Sequence, residues 1–308
     1  MNIAAIDIGS NTVLLLVAKV DLKRSKLTAL INRIETPRLG KGLKPNHPIN
    51  DSSIELLVNV FKNYQNFIQE YDCQVVIAVA TNAMRIATNA KDILELIEAE
   101  FGINIKIISG EEEAKYSFLG AISSSTKDEE ILVVDIGGGS SEIIHGFGDE
   151  IDFCKSYPIG VVLLSEKFIR HYPPNANELM DIHNFILQII SSDLYGFLNT
   201  TKIIAVAGTP TCLSAMKQNL ISFSEDKIDK SFLTRLELGE FLDEFRLLAP
   251  EKILNKYGSI VKGREDVIQA GTIILSTLLD ILGKKEVTVS SRGLRYGVIM
   301  DYLKKNKC

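Results

Sequence analysis

Two stretches of this chain return later at a single spacing, and that repeat constrains the fold more than any other feature. Ala4-Ala5-Ile6-Asp7-Ile8-Gly9 reappears within Ile131-Leu132-Val133-Val134-Asp135-Ile136-Gly137-Gly138, the aspartates lying 135 − 7 = 128 residues apart. Val75-Val76-Ile77-Ala78-Val79-Ala80-Thr81 is echoed by Ile203-Ile204-Ala205-Val206-Ala207-Gly208-Thr209, and matching Ala207 to Ala80 gives 127. Two independent matches in one register predict a duplicated domain, with a period far too long for a solenoid repeat. A weaker echo sets Val287-Thr288-Val289-Ser290 against Lys106-Ile107-Ile108-Ser109 at 289 − 108 = 181. The second copy is therefore expected to carry an insertion of roughly fifty residues, placed in the helical stretch at about 222–263, since connections outside a core tolerate length.

Within each copy the pattern predicts an α/β fold of order β-β-β-α-β-α-β-α, with mixed sheets flanked by helices. Asn2–Ile8, Thr12–Val20 and Lys26–Glu35 read as three strands joined by short turns, one of them Asp21–Ser25, and so as an antiparallel meander. Asp51 or Ser52 caps a helix whose apolar face is Leu56, Leu57, Val60, Tyr64 and Phe67. Strand Gln74–Ala80, a helix from about Asn82, strand Ile103–Ile108 and a helix from Glu111 then alternate. In the second copy, Ser141–Phe147 and Ile151–Tyr157 give the further meander strands. The expected domains are 1–122, joined by a last helix at about 294–308, and 123–293, meeting in the polar loop Ser123–Glu130.

Composition excludes several function classes. Lys+Arg number 34 and Asp+Glu 39, a formal charge of −5, which disfavours nucleic acid and anionic membranes as partners. No apolar run approaches the ~20 residues of a membrane helix. The start, Met1-Asn2-Ile3-Ala4-Ala5-Ile6-Asp7, lacks the basic flank of a signal peptide. Cys73, Cys154, Cys212 and Cys308 have neither disulfide nor metal-ligand spacing, as expected in a reducing cytoplasm. His47, His145, His171 and His183 share no ligand spacing and read as structural. A two-fold homodimer is the default oligomer.

The chemistry concentrates in Asp7-Ile8-Gly9-Ser10-Asn11-Thr12 and Asp135-Ile136-Gly137-Gly138-Gly139-Ser140-Ser141-Glu142. Each sets an acid at the end of a buried strand and follows it with a tight turn. Glycine allows close backbone approach, successive N–H groups form an anion-binding concavity, and the adjacent acid suits a hard divalent cation. A capping aspartate in a hairpin turn would explain one such motif. Equivalent placement in two copies favours phosphate loops on the walls of a cleft between them. No Gly-x-x-x-x-Gly-Lys-Ser/Thr loop occurs. In Ser109-Gly110-Glu111-Glu112-Glu113-Ala114, Glu111 and Glu112 fit a helix dipole. Thr81-Asn82-Ala83-Met84-Arg85 puts a planar guanidinium, suited to phosphoryl oxygens, just beyond a strand end.

Taken together, these motifs resemble the exopolyphosphatase/guanosine pentaphosphate phosphohydrolase (Ppx/GppA) family of the acetate and sugar kinase, heat-shock chaperone and actin superfamily. The resemblance also rests on Arg38-Leu39-Gly40-Lys41-Gly42-Leu43, Gly208-Thr209, Gly263-Arg264-Glu265-Asp266-Val267-Ile268, Ala270-Gly271 and Ser291-Arg292-Gly293-Leu294-Arg295-Tyr296-Gly297. It implies two ribonuclease-H-like domains and magnesium-dependent removal of terminal phosphate from linear polyphosphate or guanosine pentaphosphate. By the same resemblance Glu113 is the catalytic glutamate and Arg85 the catalytic arginine. Asp7 and Asp135 are then expected to hold Mg2+, directly or through water. Backbone around Ser10, Asn11, Thr12, Gly137, Gly138, Gly139 and Ser140 grips the phosphoryl oxygens, and Glu113 aims a water in line.

A polyanion also needs positive surface, for which Arg38, Lys41, Lys44, Lys262, Arg264, Arg292 and Arg295 are candidates. Two features depart from many relatives: Ile86 stands where an acid is common, and no C-terminal helical extension follows the second copy, which predicts a weaker grip on long polymers. A kinase of the same superfamily, with Gly208-Thr209 at its adenosine loop, and a non-enzymatic phosphate or alarmone sensor are the competing readings. Intact Glu113, Arg85 and both aspartates weigh against the sensor.

Overall fold

The computed structural model describes residues 1–23, 26–123, 129–148, 150–200 and 202–306. Arg24-Ser25 of the first polar turn, 124–128 of the expected joining loop, and Cys308 lie outside the described residues. The chain forms two compact units, Met1–Ser124 with Arg292–Cys308, and Ser125–Ser291.

The first unit begins with β1 (Asn2–Ile8), β2 (Val13–Asp21), β3 (Lys26–Glu35), α1 (Asp51–Glu70), β4 (Val75–Ala80), α2 (Asn82–Ile86), α3 (Ala90–Phe101), β5 (Ile105–Ile107) and α4 (Gly110–Ile122). Its sheet runs β3-β2-β1-β4-β5. Short links force β1, β2 and β3 into an antiparallel meander, whereas β4 and β5, each reached through helix, lie parallel to β1. Successive side chains point to opposite faces. Ala4, Ile6 and Ile8 pack with Leu57, Phe61 and Tyr64 of α1 and Ile93 and Ile97 of α3. Ile3 and Ala5 pack on the other face with Tyr296, Ile299 and Leu303. Burial on both faces is why β1 reads as an unbroken apolar run. Asp7 belongs by alternation to the face of Ile3 and Ala5.

Three expectations for this unit change. The N-cap of α1 is Asn50, not Asp51 or Ser52, its Oδ1 accepting from Ser53 N at 2.8 Å. Leu56 is 52% exposed, because the contact stripe of α1 is Leu57, Val60, Phe61 and Tyr64, at i, i+3, i+4 and i+7. The helix expected to run on from Asn82 is two helices, broken at Ala87–Asn89. Asn89 Nδ2 donates to Ile49 O and Ile49 N donates to Asn89 Oδ1, both at 2.9 Å. This backbone-mimicking pair, at about 1 kcal/mol per bond, competes with helix continuation. Arg85 is thereby left on a separate short helix.

The second unit contains β6 (Glu130–Ile136), β7 (Ser141–Phe147), β8 (Glu150–Tyr157), α5 (Val161–Phe168), α6 (Ala176–Leu194), β9 (Lys202–Val206), α7 (Gly208–Lys217), α8 (Glu225–Ile228), β10 (Phe232–Thr234), α9 (Arg235–Phe245), α10 (Pro250–Tyr257), α11 (Ile268–Leu282) and β11 (Glu286–Val289). α12 (Leu294–Lys305) then belongs to the first unit. The second sheet runs β10-β11-β9-β6-β7-β8. Leu132, Val134 and Ile136 of β6 share a core with Ile182, Ile186 and Ile190 of α6 and Ile274, Leu275 and Leu278 of α11. Among the described residues, no helix is long and apolar enough to cross a membrane.

Strand register makes the two sheets copies of one design. Asp7 faces Leu14 and Val79, Asp135 faces Glu142 and Val206, and these neighbours differ by 142 − 14 = 128 and 206 − 79 = 127. The third echo shifts slightly. Ala78 pairs with Ile105 and Ala205 with Val289, so the structural offset is 289 − 105 = 184, not 181. Short Ile/Val-rich strands slide easily in a sequence match, whereas the hydrogen-bond ladder cannot. Only α2 and α3 lie between β4 and β5, but α7 to α11 and the edge strand β10 lie between β9 and β11.

Gly160 is required by a close crossing: a Cβ there would lie 2.2 Å from Gly138 O and 2.4 Å from Gly139 C. Gly160→Ala is expected to destabilise the second unit by ~1–3 kcal/mol through overpacking, read as a lower denaturant midpoint. An unchanged midpoint would contradict this crossing.

Candidate active site

The same turn is built after each buried strand. Gly9 N donates to Thr12 O at 2.9 Å, and Gly137 N donates to Ser140 O at 2.9 Å. The carbonyl of the second turn residue is tied back in both units, by Gly40 N to Ser10 O at 2.7 Å and by Val162 N to Gly138 O at 2.8 Å. These bonds engage acceptor lone pairs that would otherwise repel an anion. In the first unit, Arg38 N also donates to Asn11 O at 3.1 Å, and a Cβ on Gly40 would lie 2.8 Å from Ser10 Cβ. The Arg38-Leu39-Gly40 motif is thus a cover pressed onto the first turn. Ser10 and Asn11 are buried, and Ser10 Oγ meets no hydrogen-bond partner among the described residues. Thr12 is half-buried, as are Gly137, Gly138 and Gly139, and Ser140 is buried.

Three consecutive glutamates separate at the start of α4. Glu111 is exposed. Glu112 closes a capping box, its Oε2 accepting from Ser109 N at 3.2 Å while Ser109 Oγ accepts from Glu112 N at 3.1 Å. Lys106 Nζ donates to Glu112 Oε1, and this bond, then the Ser109 backbone bond, holds the Glu112 carboxyl below the usual range. Glu113, 8% exposed, turns inward. Arg85 Nη1 lies 2.7 Å from Glu113 Oε2 and donates to Ile108 O at 2.9 Å. Ile108 is itself tied to the sheet by its N–H to Ala80 O at 3.0 Å. The guanidinium is thus held between the end of the parallel strands and the first turn of α4.

Asp7 and Asp135 end equivalent strands. Sequence reading passed over Glu142, which sits directly across the ladder from Asp135 and therefore on the same face, Asp135 9% and Glu142 1% exposed. Ser156 Oγ donates to Glu142 Oε1 at 2.6 Å. The signal was available: Glu142 lies seven residues after Asp135, and a four-residue turn between antiparallel strands makes the two partners. Adjacent buried carboxylates repel, and a divalent cation would relieve that repulsion. Among the described residues no group of three or more His, Cys, Asp or Glu could hold a metal. One or two carboxylates match magnesium, which keeps waters and takes substrate oxygens rather than an all-protein cage.

The cations expected along a polyanion track are placed differently from one another. Lys41, Lys44 and Lys262 are exposed, and Arg38, Arg264 and Arg292 half-buried. Arg264 lies flat on Gly208, its Nη1 1.8 Å from where a Cβ would stand. Arg292 lies over the Tyr296 ring at 5.3 Å. Arg295 is corrected: it is 8% exposed, and its Nη1 donates to Leu15 O at 3.0 Å and Asn32 Oδ1 at 2.9 Å. Residues 294–299 of α12 are buried on all sides, so the periodicity of that helix leaves no water-facing position for Arg295. The described histidines have protein partners: His47 with Pro45 O, His145 with Asp152, His171 with Glu178 and His183 with Thr277.

Comparison with known proteins agrees with this architecture. A family model described as the Ppx/GppA phosphatase family matches residues 16–306. A Fusobacterium nucleatum bifunctional 3-dehydroquinate synthase/phosphatase is 32% identical over 97% of the chain, which spans 46% of that protein's length. Exopolyphosphatase 2 of Mycobacterium tuberculosis is 28% identical, covering 97% of this chain and 98% of its own. The guanosine-5'-triphosphate,3'-diphosphate pyrophosphatase of Aeromonas hydrophila is 27% identical over 98% of this chain and 60% of its own. The crystal structure of the Aquifex aeolicus Ppx/GppA family member superposes with a TM-score of 0.82, at 32% identity and 99% coverage of both chains.

The capping box yields a test. Because the folded pKa of Glu112 is lowered, its contribution is present above the ordinary value of 4.5 and is lost as pH falls through the lowered value. Glu112→Ala is expected to cost about 0.3–1.5 kcal/mol at neutral pH, towards the lower end because the group is part-exposed. The difference from wild type should shrink at pH 3, on comparing unfolding midpoints at the two values. An equal difference at both would exclude the ion pair and the cap as its source.

Proposed function

Because the chain belongs to the Ppx/GppA phosphatase family, a class of hydrolases acting on phosphoric anhydrides, we propose that it releases the terminal phosphate of linear polyphosphate. The observation that carries this reading is the pairing of Glu113 with Arg85 at 2.7 Å on separate helices. Hydrolysis of a terminal anhydride needs a carboxylate to accept a proton from the attacking water and a cation for the charge spread over the equatorial oxygens. Glu113 takes the first role and Arg85 the second. Arg85 also orients the Glu113 carboxylate until phosphoryl oxygens engage its remaining N–H groups.

In the first unit Asp7 with Ser10, Asn11 and Thr12, and in the second Asp135 with Gly137, Gly138, Gly139 and Ser140, each form a turn suited to phosphoryl oxygens. Ser10 Oγ, buried and with a hydrogen bond to give, suits a terminal oxygen. Magnesium, held when bound by one or two of these strand-end carboxylates, would neutralise charge on the phosphoryl oxygens. Polyphosphate is favoured over guanosine pentaphosphate because the relative named an exopolyphosphatase matches this chain over 98% of its own length. Guanosine pentaphosphate is the second reading, favoured by the pyrophosphatase relative. Arg38, Lys41, Lys44, Lys262, Arg264 and Arg292 remain the candidates for electrostatic guidance of the polymer.

Phosphate release with magnesium, measured side by side on polyphosphate of several lengths, guanosine pentaphosphate and adenosine triphosphate, tests the substrate assignment. Turnover of the nucleotide substrates alone would reverse it. Glu113→Gln is expected to lower kcat on polyphosphate by ~10²–10⁴ while leaving the fold intact. Retained turnover would remove the base role. Chelation of divalent cations is expected to abolish release, with recovery on adding magnesium; activity that persists after exhaustive chelation would count against the carboxylate assignments.

A further inference from the structure

α4, the helix that carries Glu113 in its first turn, meets α12 through two reciprocal glycine contacts. A Cβ on Gly297 would lie 1.7 Å from Tyr116 O, and a Cβ on Gly120 would lie 2.1 Å from Gly293 O. Each helix thus offers a carbonyl and, one turn later, a glycine that receives the other's carbonyl. Pairing 116 with 297 and 120 with 293 makes the crossing antiparallel, and Lys115 Nζ, 3.7 Å from Asp301 Oδ1, extends the same order. At such an approach backbone touches backbone, with no side chain to yield, so the separation of the helices is fixed. The face that packs α12 also supports the arginine. Leu294 and Val298 share a cluster with Ile108 and Val79. Ile108 is the residue whose carbonyl holds Arg85, and Val79 is the ladder neighbour of Asp7. On its far side α12 is anchored by Arg295 to Leu15 O of β2 and Asn32 of β3.

We propose that α12 is a positioning element for the reaction, with Gly297 and Arg295 acting through Glu113: the glycine contact sets the depth of α4, and the buried arginine fixes α12 against the sheet. This rests on the assignment of Glu113 as the base. Neither residue touches substrate. Displacing α4 moves the Glu113 carboxylate while the two glycine-bearing turns after β1 and β6, which lie on other elements, keep their places, so the loss falls mainly on the chemical step rather than on binding.

The test measures kcat and KM on polyphosphate for Gly297→Ala, alone and in the Glu113→Gln background, with Leu303→Ala as control. Leu303 is buried on the same helix, against Ile3 and Val20; its truncation lowers stability without pushing on α4. Gly297→Ala is expected to lower kcat by about 10²-fold, the scale of a misplacement near 1 Å, with KM changed less than about threefold. Leu303→Ala is expected to lower Tm with kcat near wild type. In the Glu113→Gln background Gly297→Ala should cost less than about threefold more, because the residue it acts through is already gone. If Gly297→Ala yields no folded protein, Arg295→Met, which keeps volume and removes the anchor, is read by the same cycle, and Arg295→Lys should recover part of kcat. Folded variants with wild-type kcat, losses that track Tm in the control too, or full additivity in the cycle would each overturn the proposal. Wild-type turnover by Glu113→Gln itself would instead locate the failure in the base assignment, and the inference would fall with it.

Discussion

The arrangement depends on a hydrogen-bond ladder that grips a central strand from both sides. β1 lies between β2 and β4, and β6 between β7 and β9, so the strand end carrying Asp7 or Asp135 is paired on each flank. The backbone that carries the carboxylate cannot shift there without breaking two rows of backbone bonds. The turn that follows is closed by one bond of the same length in both units, Gly9 to Thr12 and Gly137 to Ser140 at 2.9 Å. Strand rigidity, passed through one short turn, is what holds these loops in a geometry suited to phosphate.

Against that frame the two units have diverged in the material that covers the turn. The first presses Arg38–Gly40 onto it and gives it Ser10 and Asn11; the second uses Gly138 and Gly139 and lays the start of α5 across, with Val161 N donating to Gly137 O at 2.9 Å. Glycines on the second side admit backbone at distances a side chain would forbid. The hydroxyl and amide on the first add donors. One repeated turn is therefore built in two ways, and among the described residues the Glu113–Arg85 pair belongs to the first unit, the β5-to-α4 junction having no counterpart with the same residues at Ser290–Leu294.

Much of this was legible in the sequence because repeats and buried strands leave strong local signals. The meander, the paired Asp-Ile-Gly turns and the 128-residue offset needed only the order of residues. What was not legible depended on partners distant in sequence. The break after Ile86 comes from Asn89 bonding to Ile49, forty residues away. The burial of Arg295 comes from Leu15 and Asn32, 280 and 263 residues away. A helical run rich in apolar residues gives no hint that a charged member will be used to hold two strands. Glu142 is the intermediate case. Its role as neighbour of Asp135 follows from counting across a turn, but the motif presents it as just another polar residue after a glycine loop.

The return of α12 carries a consequence for how the protein comes into being. The sheet of the first unit buries Ile3, Ala5, Leu16 and Val20 against Tyr296, Ile299 and Leu303, residues translated only after the whole second unit. The earliest strands to emerge are thus the last to be fully covered, whereas the second unit, continuous from Ser125 to Ser291, holds its own partners. Vectorial synthesis usually lets the N-terminal part mature first; here one face of the opening sheet waits for its cover until more than half the chain has been made.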